Sequence, residues 1–181
     1  LLLGLGKAKE VTAEKIRQAA ATAVKLLEKS KFKSVAADLS VLESLGKGKS
    51  ELYGELAGAV AEGAGLALYH FDHYKSKDDD PPVRLEKLTL LTTTKAQQKT
   101  VEKSIARAEK IVNAVHTARN LISHPGNIAT PTYLAEHAKK MARKNKITCK
   151  VLGKKEMEKL GMGSLLGVAQ GSDEPPALIV M

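Results

Sequence analysis

The sequence predicts an α/β protein. It is expected to comprise a smaller N-terminal α/β domain over residues 1–93, a long connecting helix over 94–122 and the incomplete start of a second α/β domain over 123–181. Three observations carry that expectation. Strand-like and helix-like patterns alternate through the first half, in an order that favours parallel strand pairs. One uninterrupted helical pattern of about 27 residues, roughly 40 Å at 1.5 Å per residue, follows them. A second, shorter set of helix and strand patterns begins after a turn rich in Pro and Gly. The 181 residues give room for one large domain or two small ones.

The elements are expected in this order. Leu1 to Leu5 reads as a strand that Gly4 and Gly6 end. Thr12 is a helix cap, and the helix from Ala13 to about Lys29 places Ile16, Ala20, Ala23 and Leu27 on one stripe. Val35, Ala37 and Leu39 alternate as a strand does, and residues 44–50 read as a flexible loop. Glu51 to Tyr69 is an Ala/Gly-rich helix suited to close packing against a neighbour. Lys75 to Pro82 reads as a charged surface loop, and Leu85 to Leu91 as a strand. The longest helix runs from Lys95 to Ile122, with Val101, Ile105, Ala108, Val112 and Val115 in a stripe.

The turn at the end of that helix organises the chain. Pro125 and Gly126 cannot comfortably continue a helix, and Asn127 suits turn geometry. Thr130 then caps a new helix with Pro131 in its first position, where the missing N–H costs nothing. Leu134, Ala138, Met141 and Ala142 line that helix. Ile147 to Leu152 reads as a strand, Lys154 to Leu160 as a short helix, Gly161 to Gly171 as a glycine-rich turn and Ala177 to Met181 as a last strand.

Composition narrows the class. Apolar residues make up 43% and aromatics 3%, with no Trp, so the core rests on Leu, Val, Ile and Ala. The single cysteine, Cys149, leaves no internal disulfide and fits a reducing compartment. Leu1-Leu2-Leu3 is too short for a signal peptide, and no apolar run approaches the roughly 20 residues of a membrane span. Both ends are apolar runs, where termini are usually polar and exposed, so a fragment of a longer protein is expected. The net charge of +9 is uneven, with +1 over residues 1–92 and +8 over 93–181. A basic half invites an acidic partner or nucleic acid; the plainer reading leaves the balancing acids to other segments.

Spacing alone yields no catalytic constellation. Gly48-Lys49-Ser50 looks like the end of a phosphate loop, but Glu43 stands where that motif needs Gly. Gly4-Leu5-Gly6 fails the dinucleotide pattern at Lys9 and reads as a turn. His70, Asp72 and His73 are metal-ligand types, yet beside Lys75 and Lys77 they read as a solvated cluster. Asp78-Asp79-Asp80 is a loop charge run that makes a poor metal site by itself. His124 reads as a turn or packing residue, and Cys149 as a small hydrophobe inside a strand.

The turn stretch resembles the leucine aminopeptidase (cytosol aminopeptidase) family of metallopeptidases. The residues that carry the resemblance are Ala118-Arg119-Asn120-Leu121, Pro125-Gly126-Asn127, Thr130-Pro131 and Leu134-Ala135. A second match follows at the family's spacing, Met162 through Ser172 and then Glu174-Pro175-Pro176. Leu3-Gly4-Leu5-Gly6-Lys7, Glu62-Gly63 and Leu68-Tyr69-His70-Phe71-Asp72 look like the N-terminal domain of bacterial members. Ser123-His124 falls on a variable position.

The resemblance implies a smaller N-terminal, macro-domain-like α/β domain, a connecting helix and a larger catalytic α/β domain. It implies a cytoplasmic hexamer that removes N-terminal residues, often leucine, from peptides, with two divalent ions, zinc or manganese, activating a bridging water. The family's ligands lie in an Asn-Thr-Asp-Ala-Glu-Gly-Arg motif and an earlier Lys/Asp segment that nothing here matches. No catalytic, cofactor-binding or metal residue is therefore assigned to this chain, which is expected to bind no metal and to be inactive alone. The alternatives are a pure assembly role and a DNA-binding role, the latter through Lys139, Lys140, Arg143, Lys144 and Lys146. These cations alternate with an apolar stripe, as on any solvated helix face.

Overall fold

The computed structural model describes residues 1–46, 48–76 and 81–181. They gather into two compact units, Leu1–Thr117 and Ala118–Met181.

In the first unit, helix α1 (Ala13–Lys29) starts where Thr12 Oγ1 accepts the backbone N–H of Lys15 at 3.3 Å. Ile16 and Val24 are its fully buried residues. Strand β1 (Ser34–Asp38) and strand β2 (Lys87–Leu91) form a parallel ladder in the register Ser34↔Lys87 to Asp38↔Leu91. In both, the middle side chains alternate between half-buried and exposed, so one face of the pair packs on the core and the other meets solvent. β2 begins two residues later than the apolar pattern suggests, because Glu86 and Lys87 both donate to the Lys33 carbonyl before the ladder starts.

Helix α3 (Ser50–Ala67) packs along α1. Its glycines set how closely. A Cβ on Gly63 would overlap the carbonyl oxygen of Arg17, so only glycine admits the α1 backbone there. Helix α4 (Lys95–Ser123) adds Val101 to a core of Ile16, Leu39, Leu42, Tyr53, Leu56, Ala57 and Ala59. A second cluster joins Val24, Ala64 and Leu85.

In the second unit, helix α5 (Pro131–Asn145) opens as expected, with Thr130 Oγ1 accepting from Tyr133 N–H at 3.2 Å and Pro131 in the first turn. Ala135, Ala138 and Ala142 are its buried stripe. Strand β3 (Lys150–Leu152) pairs antiparallel with strand β4 (Leu178–Val180). Helices α6 (Lys154–Lys159) and α7 (Gly163–Ala169) pack on each other between them, and Met157 of α6 is fully buried.

Four expectations are corrected. Leu1 to Leu5 is not a strand: no described strand lies beside it to complete a ladder, Leu2 is 98% exposed, and Leu5 alone packs on the core. The loop over 44–50 is shortened by helix α2 (Ser40–Leu45), which Asp38 starts by accepting from Ser40 N–H and Oγ at 2.9 and 3.0 Å and which Leu42 anchors by burial. Of that loop, Lys47 lies outside the described residues, as do positions 77–80 of the Lys75–Pro82 loop.

The strand over Ile147–Leu152 is halved. Lys146 takes a left-handed conformation, and Ile147 N–H caps the Ala142 carbonyl at 2.9 Å, so the chain is still closing α5. Cys149 consequently precedes β3 and is half-buried. The glycine-rich turn over 161–171 contains α7, whose Gly163 and Gly167 weaken the helical signal by roughly 1 kcal/mol each relative to Ala. Packing on α6 accompanies the helix, and turns remain on either side of it, at Gly161 with positive φ and at Gln170–Gly171.

Candidate functional site

The turn between α4 and α5 is built by its own backbone. Ile128 and Ala129 N–H both donate to the Pro125 carbonyl at 2.9 Å, and Thr130 N–H donates to the Ile128 carbonyl. His124 is a packing residue: its ring meets the Tyr133 ring edge-on at 5.6 Å, with the Tyr133 hydroxyl 3.4 Å from Nε2. The stretch fixes chain direction and presents no reactive group.

Two residues of the expected solvated cluster, His70 and Asp72, sit in an ion-pair network that reaches two distant positions, Glu28 and Arg84. His70 Nε2 lies 3.1 Å from both carboxylate oxygens of Glu28, in the last turn of α1. Arg84 donates from Nη1 to His70 Nδ1 at 2.9 Å and from Nη2 to Asp72 Oδ2 at 2.9 Å. Lys75 Nζ closes on Asp72 Oδ1 at 2.6 Å. The ammonium of Lys75, and after it the Arg84 guanidinium, hold the Asp72 carboxyl below its ordinary range. Leu85 N–H also donates to Glu28, at 3.3 Å.

The network therefore ties the end of α1 to the segment entering β2, with Arg84 in the place a cation would take. The His73 ring stands edge-on to Tyr74 at 4.8 Å. Glu28 and Arg84 escaped the sequence reading because they stand 42 and 14 residues from His70. One signal was available: an acid in the last turn of a helix opposes the macrodipole and calls for a cationic or donor partner.

The other candidates separate. Gly48 makes a positive-φ turn, and Ser50 begins α3 with its Oγ 3.1 Å from Thr100 Oγ1, so the Gly-Lys-Ser run forms a helix start. Gly6 is likewise a positive-φ turn residue. Asp78, Asp79 and Asp80 lie outside the described residues. Lys139, Lys140, Arg143, Lys144 and Lys146 are all exposed, opposite the buried alanines of α5. Among the described residues no group of three or more His, Cys, Asp or Glu converges to hold a metal ion.

With this geometry in hand, comparison with known proteins is specific. Residues 1–78 match the model of the cytosol aminopeptidase family, N-terminal domain, and residues 116–181 match that of the family's catalytic domain. Over its whole length the chain is 41% identical to a probable cytosol aminopeptidase of Nitrosococcus oceani and 39% identical to one of a Geobacter species. It covers 36% and 35% of those proteins, so it spans about a third of the length of the curated relatives it matches.

Among solved structures, a mutant of tomato leucine aminopeptidase matches with a TM-score of 0.81 at 26% identity, over 98% of this chain and 34% of that one. The bottromycin maturation enzyme BotP in complex with Mn matches with a TM-score of 0.74 at 31% identity, over 98% and 34%. Both models describe domains of one family of proteins. The chain belongs to the cytosol aminopeptidase family, its two matched regions standing in family order. The described residues do not form a ligand set for a metal such as that shown with BotP, so no step of metal chemistry is assigned to them.

Proposed function

We propose that this chain is a part of a cytoplasmic aminopeptidase that removes N-terminal residues such as leucine from peptides. In this reading residues 1–93 are its N-terminal domain, 94–122 the connecting helix and 123–181 the beginning of the peptidase domain. Two divalent ions, manganese or zinc, belong to segments of the longer protein, which assembles as a hexamer. The observation that supports this reading best is the match of both family models, in order and at the two ends of one chain.

The test uses leucine p-nitroanilide with manganese. The 181-residue chain is expected to give no turnover, and the longer protein that contains it to give turnover that a chelator abolishes. Activity in the isolated chain, or none in the longer protein, would overturn the assignment.

A further inference from the structure

We propose that the cleft between α1, α3 and α4 of the first unit binds short peptides by their two charged ends, the free ammonium on the α3 wall and the free carboxylate on the α4 wall. The cleft has a volume of about 650 Å³, within the roughly 300–1,000 Å³ of small-molecule sites. Its floor is the crossing of α3 and α4. A Cβ on Gly54 would stand 2.7 Å from Thr100 Cγ2, and one on Gly58 3.4 Å from Ser104 Cβ. The missing side chains at these two positions let α4 lie close against α3, which makes the crossing the floor of the cleft. Thr100 and Ser104 supply hydroxyls there, and each retains hydrogen-bonding capacity beyond its contact within the chain.

The walls carry opposite charge. Glu51 and Glu55 stand one turn apart on α3, and Lys103 and Arg107 one turn apart on α4. Among the described residues none of these four has an ion-pair or side-chain hydrogen-bond partner, although their charges face one cleft. A third pair is satisfied: Arg17 and Glu62 meet at 2.8 Å and close one end. The four charges are exposed, and an occupant that pairs with both walls offers a cation to the glutamates and an anion to Lys103 and Arg107. A short peptide separates its two end charges by a backbone of about 3.3 Å per residue, whereas the two charges of a single amino acid share one carbon. The guanidinium of Arg107 suits a carboxylate through its forked donors. The inference uses residues of the first unit alone and is independent of the proposed activity.

The experiment is an amide NMR titration of the 181-residue chain with triglycine. Saturable shifts are expected at Glu55, Gly58 and Ser104. N-acetyltriglycine and triglycine amide, each lacking one end charge, are expected to bind at least about tenfold more weakly. Lys103→Glu and Glu55→Lys should each weaken triglycine binding by about tenfold, and the double exchange should recover part of it. Both positions are exposed on helices and both residue types favour helix, so spectral dispersion should be kept. No saturable shift, equal binding of the capped peptides, or indifference to the single variants would overturn the proposal. So would sedimentation showing that a second copy of the chain fills the cleft.

Discussion

Arg17 on α1 donates from Nε and Nη2 to the same carboxylate oxygen of Glu62 on α3, at 2.9 and 2.8 Å. The hydrogen bond to Glu62 dominates the surroundings of the guanidinium and raises its pKa further, against partial burial. Glu14 holds the other side of the same group. Glu62 is only 17% exposed, so losing its partner strands a carboxylate. Arg17→Met is expected to cost about 1–3 kcal/mol in urea unfolding, and Glu62→Gln less. A double-mutant cycle whose coupling fell below about 0.3 kcal/mol would show the pair to be energetically idle.

Gly63 is expected to tolerate no side chain. Its absent Cβ position coincides with the Arg17 carbonyl, which belongs to the α1 backbone and cannot swing away. Gly63→Ala should therefore lower stability by about 1–3 kcal/mol, despite alanine's better helix propensity. A melting temperature equal to or above that of the parent chain would mean that α1 and α3 can part freely.

The Asp72 carboxyl gives a pH signature. Its pKa is lowered in the folded chain, first by Lys75 and then by Arg84. A depressed carboxyl contributes stability above its unfolded value, and that contribution is lost as pH falls through the folded one. The Asp72 side-chain carbon is expected to titrate below the ordinary 3.8 when followed by NMR. Lys75→Ala should move the midpoint upward, and a midpoint unchanged by that substitution would remove the ammonium as its cause.

Thr130 is the one side chain capping α5, accepting the Tyr133 N–H. Thr130→Ala should destabilise the second unit by about 1 kcal/mol, and Thr130→Ser by much less. Amide exchange over the first turn of α5 provides the measure: equal protection in both variants would contradict the cap.

What the sequence reveals and what it hides divide along physical lines. α1 and α5 could be read with their starts because Thr12 and Thr130 act on backbone N–H groups three residues away. The close packing of α3 could be read from its glycines. Strands are less legible in the sequence, since a strand exists only with a partner. Leu1–Leu5 has strand composition and no ladder, whereas Lys150–Leu152 pairs because β4 returns beside it. α2 and α7 were hidden because each is short and is held by contacts rather than by pattern. The family could be read from the stretches at 118–135 and 162–176 although neither was assigned any chemistry, and the Glu28–His70–Arg84 network could not, being assembled from three separate segments.

The parallel pairing of β1 with β2 also governs how this unit comes to be. Ser34 and Lys87 are about fifty residues apart in sequence, and no hairpin can join them. During synthesis β1 emerges long before its mate, so α1 and α3 must hold the intervening chain compact while the strand waits. Closing so long a loop is entropically expensive and places the ladder late in folding. Mutations in β1 should then accelerate unfolding far more than they slow folding.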